Sequence, residues 1–223
     1  MAILYMVAGM GLDERCFAEL KPLLNWTGTI TFLPHLVPEH KDEPLSQYAQ
    51  RLRAQLPASW EETPTLMGMS LGGIIAAELG KLMDYKRLFL ISTLKQKSEI
   101  PLYFSFLNKI PAHKLIPATF SQKYGRKLAG WFGNFEPKHL ATVFDMIEQS
   151  DPRHLVWGRN TAIGWQAPTT KPKNCVHIHG DKDHIFPSRN IKADYWIKSG
   201  THNLILERAT ELAGLINGEL EKG

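Results

Sequence analysis

The sequence predicts an α/β fold, a mostly parallel sheet with helices on both faces and a helical lid insertion at about residues 93–170. Three observations predict it. Short apolar runs alternate with amphipathic stretches over residues 3 to 92, the pattern of repeated strand–helix units. The alternation stops after Ser92 and resumes at Cys175. The chain has 223 residues, 43% of them hydrophobic, enough for a large core, and no repeat or long linker divides it, so one domain over 1–223 is expected.

The elements follow in order. "ILYMV" (3 to 7) is a short apolar run followed by Gly9 and Gly11, which reads as a buried strand, and Asp13 is placed to cap a helix through "ERCFAELKPLL". "TITFL" (29 to 33) reads as a strand stopped by Pro34. "LSQYAQRLRAQL" (45 to 56) puts Leu45, Tyr48, Leu52 and Leu56 on one helical face. "TLMG" (65 to 68) is a third strand, a helix from Leu71 to about Met83 follows it, and "RLFLIS" (87 to 92) is the fourth strand. Residues 99 to 165 read as short helices broken at prolines and glycines. The sheet resumes at "CVHIHG" (175 to 180), continues at "DYWI" (194 to 197), and ends in a helix from about Leu204. Apolar runs of this kind belong to strands covered on both faces.

Composition excludes several function classes. The net charge of +4 is too small to argue for a nucleic-acid partner. Cys16 and Cys175 are too few for a disulfide framework and are expected as buried thiols with no catalytic role. The opening "MAILYMVAG" has no basic segment, and its apolar run is too short for a signal peptide or a membrane span, so a cytoplasmic protein is expected. The charge is unevenly distributed. Residues 93 to 173 hold 12 Lys/Arg against 5 Asp/Glu, together with 11 of the 22 aromatic residues, as a lid would.

The most informative stretch is "PTLMGMSLGGIIAAELG" (64 to 80), where Ser70 stands between Gly68 and Gly72 as an apolar run changes period. A serine on a sharp strand-to-helix turn sits in a strained conformation, and side chains two places before and two after it would collide. Gly73 lets the following helix approach the sheet. The Leu71 N–H, at the start of that helix, then points toward the space in front of the hydroxyl and supplies half of an oxyanion hole. Chance produces a GxSxG pentapeptide fairly often; its place between an apolar strand and an amphipathic helix is what makes Ser70 a candidate nucleophile.

A serine hydroxyl needs a base, and the base an orienting acid. Of nine histidines, His202 in "WIKSGTHN" follows a predicted strand and precedes the last helix, in a loop at the carboxyl edge where parallel sheets collect their chemistry. "HIHGDKDHIFP" (177 to 187) offers Asp181 and Asp183 directly after a strand. Asp145, Glu148 and Asp151 in the insertion are the remaining acids.

These segments together resemble the α/β-hydrolase fold, and more narrowly its small single-domain serine hydrolases, which open with a glycine-rich loop like "AGMGLDERCF". The resemblance covers most of the chain through "GMSLGG", "HGDKDHIFP" and "SGTH", in the order Ser, Asp, His. The pattern HGxxDxxxP maps onto His179, Gly180, Asp183 and Pro187, so the resemblance implies that Asp183 is the acid and leaves Asp181 as a turn residue. Many relatives carry His-Gly after the first strand, where this chain has Ala8 and Gly9. The second oxyanion donor then falls by position on the Met10 N–H, in a loop that must be braced in another way.

A rival reading takes His177 and His179, on one face of a strand, as the start of a metal-binding HxHxDH pattern; Lys182 occupies the sixth position, where a cation opposes a metal. No metal and no cofactor is implied. The expected chemistry is hydrolysis of a small-molecule carboxylic ester or thioester by Ser70, His202 and Asp183, with a carbon–carbon bond lyase and a ligand-binding receptor as alternatives. The basic insertion has two readings. It is a solvated lysine-rich surface, or Lys95, Lys97, Lys123, Arg126 and Lys127 ring the mouth and draw in an acyl substrate with an anionic head.

Overall fold

The computed structural model describes residues 1–110, 112–117 and 137–222. The strands are β1 (Ile3–Val7), β2 (Thr29–Phe32), β3 (Thr65–Met69), β4 (Leu88–Ile91), β5 (Cys175–Gly180) and β6 (Tyr195–Ile197). They form one sheet in the order β2-β1-β3-β4-β5-β6, and every neighbouring pair is parallel. Every residue of β3, β4 and β5 is buried, because helices cover both faces.

Alternation along the strands sorts the side chains into two cores. Leu4, Met6, Met67, Met69, Phe89, Ile91 and Ile178 face α7 (Ala209–Leu220) and the single turn α6 (Leu204–Glu207). Tyr5, Val7, Leu66, Leu88 and Leu90 face α1 (Leu45–Arg53) and α2 (Leu71–Leu79). Fully burying one such aliphatic side chain contributes about 1.5–3 kcal/mol.

Parallel registry brings the carboxyl ends of the strands to one edge, pairing Val7 with Gly68, Met69 with Ile91, Ile91 with Ile178, and Gly180 with Ile197. The strand order reverses between β1 and β3, and such a switch point opens a crevice at the carboxyl edge. Ser70 lies directly behind β3 at that point.

Between β4 and β5 the chain forms α3 (Leu102–Lys109), α4 (Pro137–Gln149) and α5 (Pro152–Gly164). Two of these helices reach the cores by different routes. Val143 and Met146 of α4 join the core beneath α7, while Trp157 of α5 joins the other, stacked on Tyr48 at 4.1 Å with its indole N–H donating to the Glu43 carbonyl.

Three expectations need correction. The helix expected after β1 is instead a pair of 3-10 turns, Glu14–Phe17 and Lys21–Leu23, because Pro22 interrupts the run and the Asp13 carboxylate caps only the first turn, accepting from the Arg15 N–H. The helix after Ser70 stops at Leu79, with Gly80 as its cap. Lys95 is not at any mouth. It is 3% exposed, and its ammonium is enclosed by the Glu99 carboxylate at 3.5 Å and the Lys192 carbonyl. A lysine charge leaves water only where such partners replace the solvent. Lys97 is exposed, whereas Lys123, Arg126 and Lys127 lie outside the described residues, as does the middle part of the lid expected at 93–170. Among the described residues no helix is long and apolar enough to cross a membrane.

Candidate active site

Ser70 has φ 53° and ψ −123°, a conformation that L-residues avoid and that costs about 1–3 kcal/mol. Two glycines make it possible. A Cβ on Gly68 would lie 2.3 Å from the Gly72 carbonyl oxygen, and one on Gly72 would lie 2.2 Å from the Ala8 carbonyl oxygen. The backbone is held from both sides, since Ser70 N–H donates to the Ile91 carbonyl at 3.0 Å and Thr93 Oγ donates to the Ser70 carbonyl at 2.6 Å. The strain is thus sustained by β4 and the residues just beyond it.

His202 is supplied by the loop between β6 and α6. Its Nε2 lies 2.8 Å from Ser70 Oγ, and its Nδ1 lies 2.8 Å from Asp183 Oδ2. An ionised carboxylate can only accept, so Nδ1 carries the proton and Nε2 is left to accept from the serine hydroxyl. Phe186 packs edge-on against the imidazole, with ring centres 5.4 Å apart. The loops that carry the acid and the histidine are joined through Lys182 N–H donating to the Gly200 carbonyl at 2.9 Å.

Asp183 is 4% exposed. Burial alone would raise its carboxyl, but the His202 imidazole, the neighbouring His179 and the Phe186 N–H outweigh burial and hold it below the usual carboxylate range. Its Oδ1 accepts from the N–H groups of Ile185 and Phe186 at 2.8 and 2.9 Å. Asp181, the alternative, makes no bond to His202; its N–H donates to the Ile197 carbonyl. Asp145 is engaged by Arg15, and Asp151 caps α5 beside Arg153.

The structure therefore brings Ser70, His202 and Asp183 together. The N–H groups of Leu71 and Met10 are two backbone donors near Ser70, and among the described residues neither bonds a backbone acceptor. Their side chains are neighbours, both lying where a Cβ on Gly158 of α5 would be placed. His177 and His179 lie behind Asp183 with ring centres 5.4 Å apart. His179 Nε2 is 2.9 Å from the Phe186 carbonyl oxygen and 3.3 Å from Asp183 Oδ2, while His177 Nδ1 faces the Lys95 ammonium at 3.3 Å. That ammonium opposes a bound cation, so the HxHxD pattern does not read as a metal centre here.

Two contributors escaped the sequence reading. Thr93 could have been suspected from its position one residue past "RLFLIS", at the carboxyl edge of a central strand. His35 has no local signal, because its contact is with the loop after β1. A separate polar cleft, lined by Asp42, Ser46, Glu78, Asn108 and Gln166, touches none of the three site residues.

No protein-family model matches the sequence, and no curated protein matches it. Solved structures do. A carboxylesterase of the thaumarchaeon Nitrososphaera gargenis superposes with a TM-score of 0.71 at 16% identity, over 99% of this chain and 90% of that one. The chain has the α/β-hydrolase fold. Two other structures with this fold match over comparable lengths. A protein from Acinetobacter baumannii, named as a lipase, gives a TM-score of 0.74 at 16% identity over 99% of this chain and 84% of its own. A meta-cleavage product hydrolase gives 0.68 at 14%, over 100% and 92%. In the α/β-hydrolase fold of this chain, β3, β5 and β6 deliver Ser70, Asp183 and His202 to one edge.

Proposed function

We propose that the protein is a serine hydrolase that cleaves a small-molecule carboxylic ester or thioester through an acyl-enzyme. The observation that carries this reading is the unbroken chain from Ser70 Oγ through His202 to Asp183, with 2.8 Å at both links.

In this mechanism the Ser70 oxygen attacks the substrate carbonyl carbon as His202 Nε2 takes the hydroxyl proton. Asp183 holds the imidazole in the required tautomer and stabilises the imidazolium. The carbonyl oxygen becomes an oxyanion, stabilised by the N–H groups of Leu71 and Met10. His202 then gives its proton to the leaving alcohol or thiol, and the acyl group stays on Ser70. A water molecule, deprotonated by His202, repeats the attack and releases the acid. No cofactor takes part. The helical insertion expected at about 93–170 serves in this reading as a lid over a small substrate, and its basic residues, Lys97 among them, favour a substrate with an anionic head.

The test is a panel of acyl esters of graded chain length, with and without a carboxylate, assayed on wild type and Ser70→Ala alongside labelling by a fluorophosphonate. Turnover lost in Ser70→Ala and a single adduct on Ser70 support the reading. An adduct elsewhere, or none, defeats it. The likeness to a meta-cleavage product hydrolase keeps one other reaction in view, carbon–carbon bond hydrolysis by the same three residues, and turnover without an acyl-enzyme would favour it.

A further inference from the structure

His35 lies just beyond β2, and its position is fixed on both sides. Leu33 N–H donates to the Met6 carbonyl at 2.9 Å, and Leu36 N–H donates to Tyr48 Oη at 2.9 Å. The His35 ring stacks on that of His154 from α5, with centres 4.1 Å apart. Its Nε2 lies 3.0 Å from the Gly9 carbonyl oxygen. A carbonyl oxygen only accepts, so Nε2 carries the proton and donates. The same oxygen also accepts from Leu12 N–H at 3.1 Å.

The Gly9 carbonyl and the Met10 N–H belong to a single trans peptide unit, in which the two groups point in opposite directions across one plane. A donor that grips the carbonyl therefore sets the direction of the N–H. It also polarises the peptide and strengthens the N–H as a donor. Gly9 is close to the nucleophile, since a Cβ placed on it would lie 3.4 Å from Ser70 Cβ.

We propose that His35 is a positioning residue for the oxyanion hole: by donating to the Gly9 carbonyl it aims the Met10 N–H at the oxygen that becomes charged when Ser70 attacks. The inference rests on the hydrolase reading above. It explains how a loop reading Ala8-Gly9 after the first strand is braced, with an imidazole from the segment just after β2 locking the peptide and His154 backing that imidazole from α5.

The test compares His35→Phe, which keeps the stacking and removes the donor, with His35→Gln, which keeps a donor. A hydrolysed ester from the panel gives kcat and KM. A trifluoromethyl ketone, whose serine adduct carries an oxyanion, gives Ki. Losing an oxyanion donor outright costs about 10²–10³ in kcat, and misaiming one should cost about 10- to 100-fold. For His35→Phe the expected result is that loss in kcat, a rise in ketone Ki by a similar factor, and a KM within about twofold of wild type, with most of the loss recovered in His35→Gln. If His35→Phe does not fold, His35→Asn, whose amide falls short of Gly9, is read in the same way.

An unchanged kcat and Ki overturn the inference. So does a raised KM at constant kcat, which would place His35 in substrate binding, or an equal loss in the Phe and Gln variants, which would make it a packing residue. These outcomes need a wild type that turns over ester and is labelled on Ser70. A wild type that does neither overturns the hydrolase reading and this inference with it.

Discussion

Ser70 Oγ and His202 Nε2 lie 2.8 Å apart across 132 positions of sequence. Neither residue is near the other until the sheet forms. β3 ends at Met69 and turns at once into α2, while β6 ends at Ile197 and leaves a short loop before α6. The parallel sheet brings both ends to the same edge, and β4 and β5 lie between the two strands. Asp183 enters from the loop after β5 and reaches His202 Nδ1 with Oδ2 at 2.8 Å. The arrangement of these three side chains is therefore a property of strand order.

Asp183→Asn should lower kcat by about 10³ to 10⁴, because an amide at that position favours the wrong imidazole tautomer. Asp181→Asn should stay within a few-fold of wild type, since its carboxylate makes no bond to His202. Steady-state kinetics on the ester that wild type turns over best decides between them. The reverse ordering would move the orienting role to Asp181.

Gly72→Ala should abolish turnover and cost several kcal/mol in stability, because the added methyl would stand 2.2 Å from the Ala8 carbonyl oxygen and 2.3 Å from that of Val7. Both are backbone atoms of the central strand region, so they cannot turn away. Gly214→Ala is the control. That position lies within α7 with nothing within 4 Å of an added Cβ, so the change should stabilise the protein by about 0.5–1 kcal/mol through helix propensity. Urea unfolding of both variants measures the difference, and similar effects would show that the elbow is not closely packed.

Stability should fall as the pH drops below about 6.5. Burial, reinforced by the stacked His35, pushes His154 down to about 2, against the smaller opposing effects of the Leu36 backbone and Asp151. Burial likewise lowers His35, His177 and His179. In the unfolded chain these groups take up protons near pH 6.5 while the fold keeps them neutral. The unfolded state then binds more protons, and stability declines by up to about 1.4 kcal/mol per pH unit for each histidine across the window between the two values. The depressed carboxyl of Asp183 adds its own loss only at lower pH, on approach to its folded value. Urea unfolding at pH 7.5 and 5.5 reads the slope, and His154→Phe should flatten it. An equal slope in that variant would assign the dependence to other groups.

The α/β class, the strand order along the chain, and Ser70, His202 and a pair of candidate acids were legible in the sequence, because each depends on short-range pattern. An apolar run of five residues makes a strand buried on both faces, and a glycine two places on each side of Ser70 marks a turn that admits no other side chain there. His202 and Asp183 were legible for a related reason: they follow predicted strands, and parallel strands end at one edge. The choice between Asp183 and Asp181 came from resemblance alone until the contact with His202 separated them. What only the tertiary structure decided are the contacts that link distant segments. Lys95 reads locally as one charge in a basic stretch, yet Glu99 and the Lys192 carbonyl enclose it beside His177. His35 reads as a loop histidine, yet it reaches the Gly9 carbonyl. Thr93 falls one residue past an expected strand, yet it holds the carbonyl of the strained serine. In each case the partner's identity depends on packing across the sheet or between loops, and local periodicity contains no information about which side chain will meet which backbone oxygen.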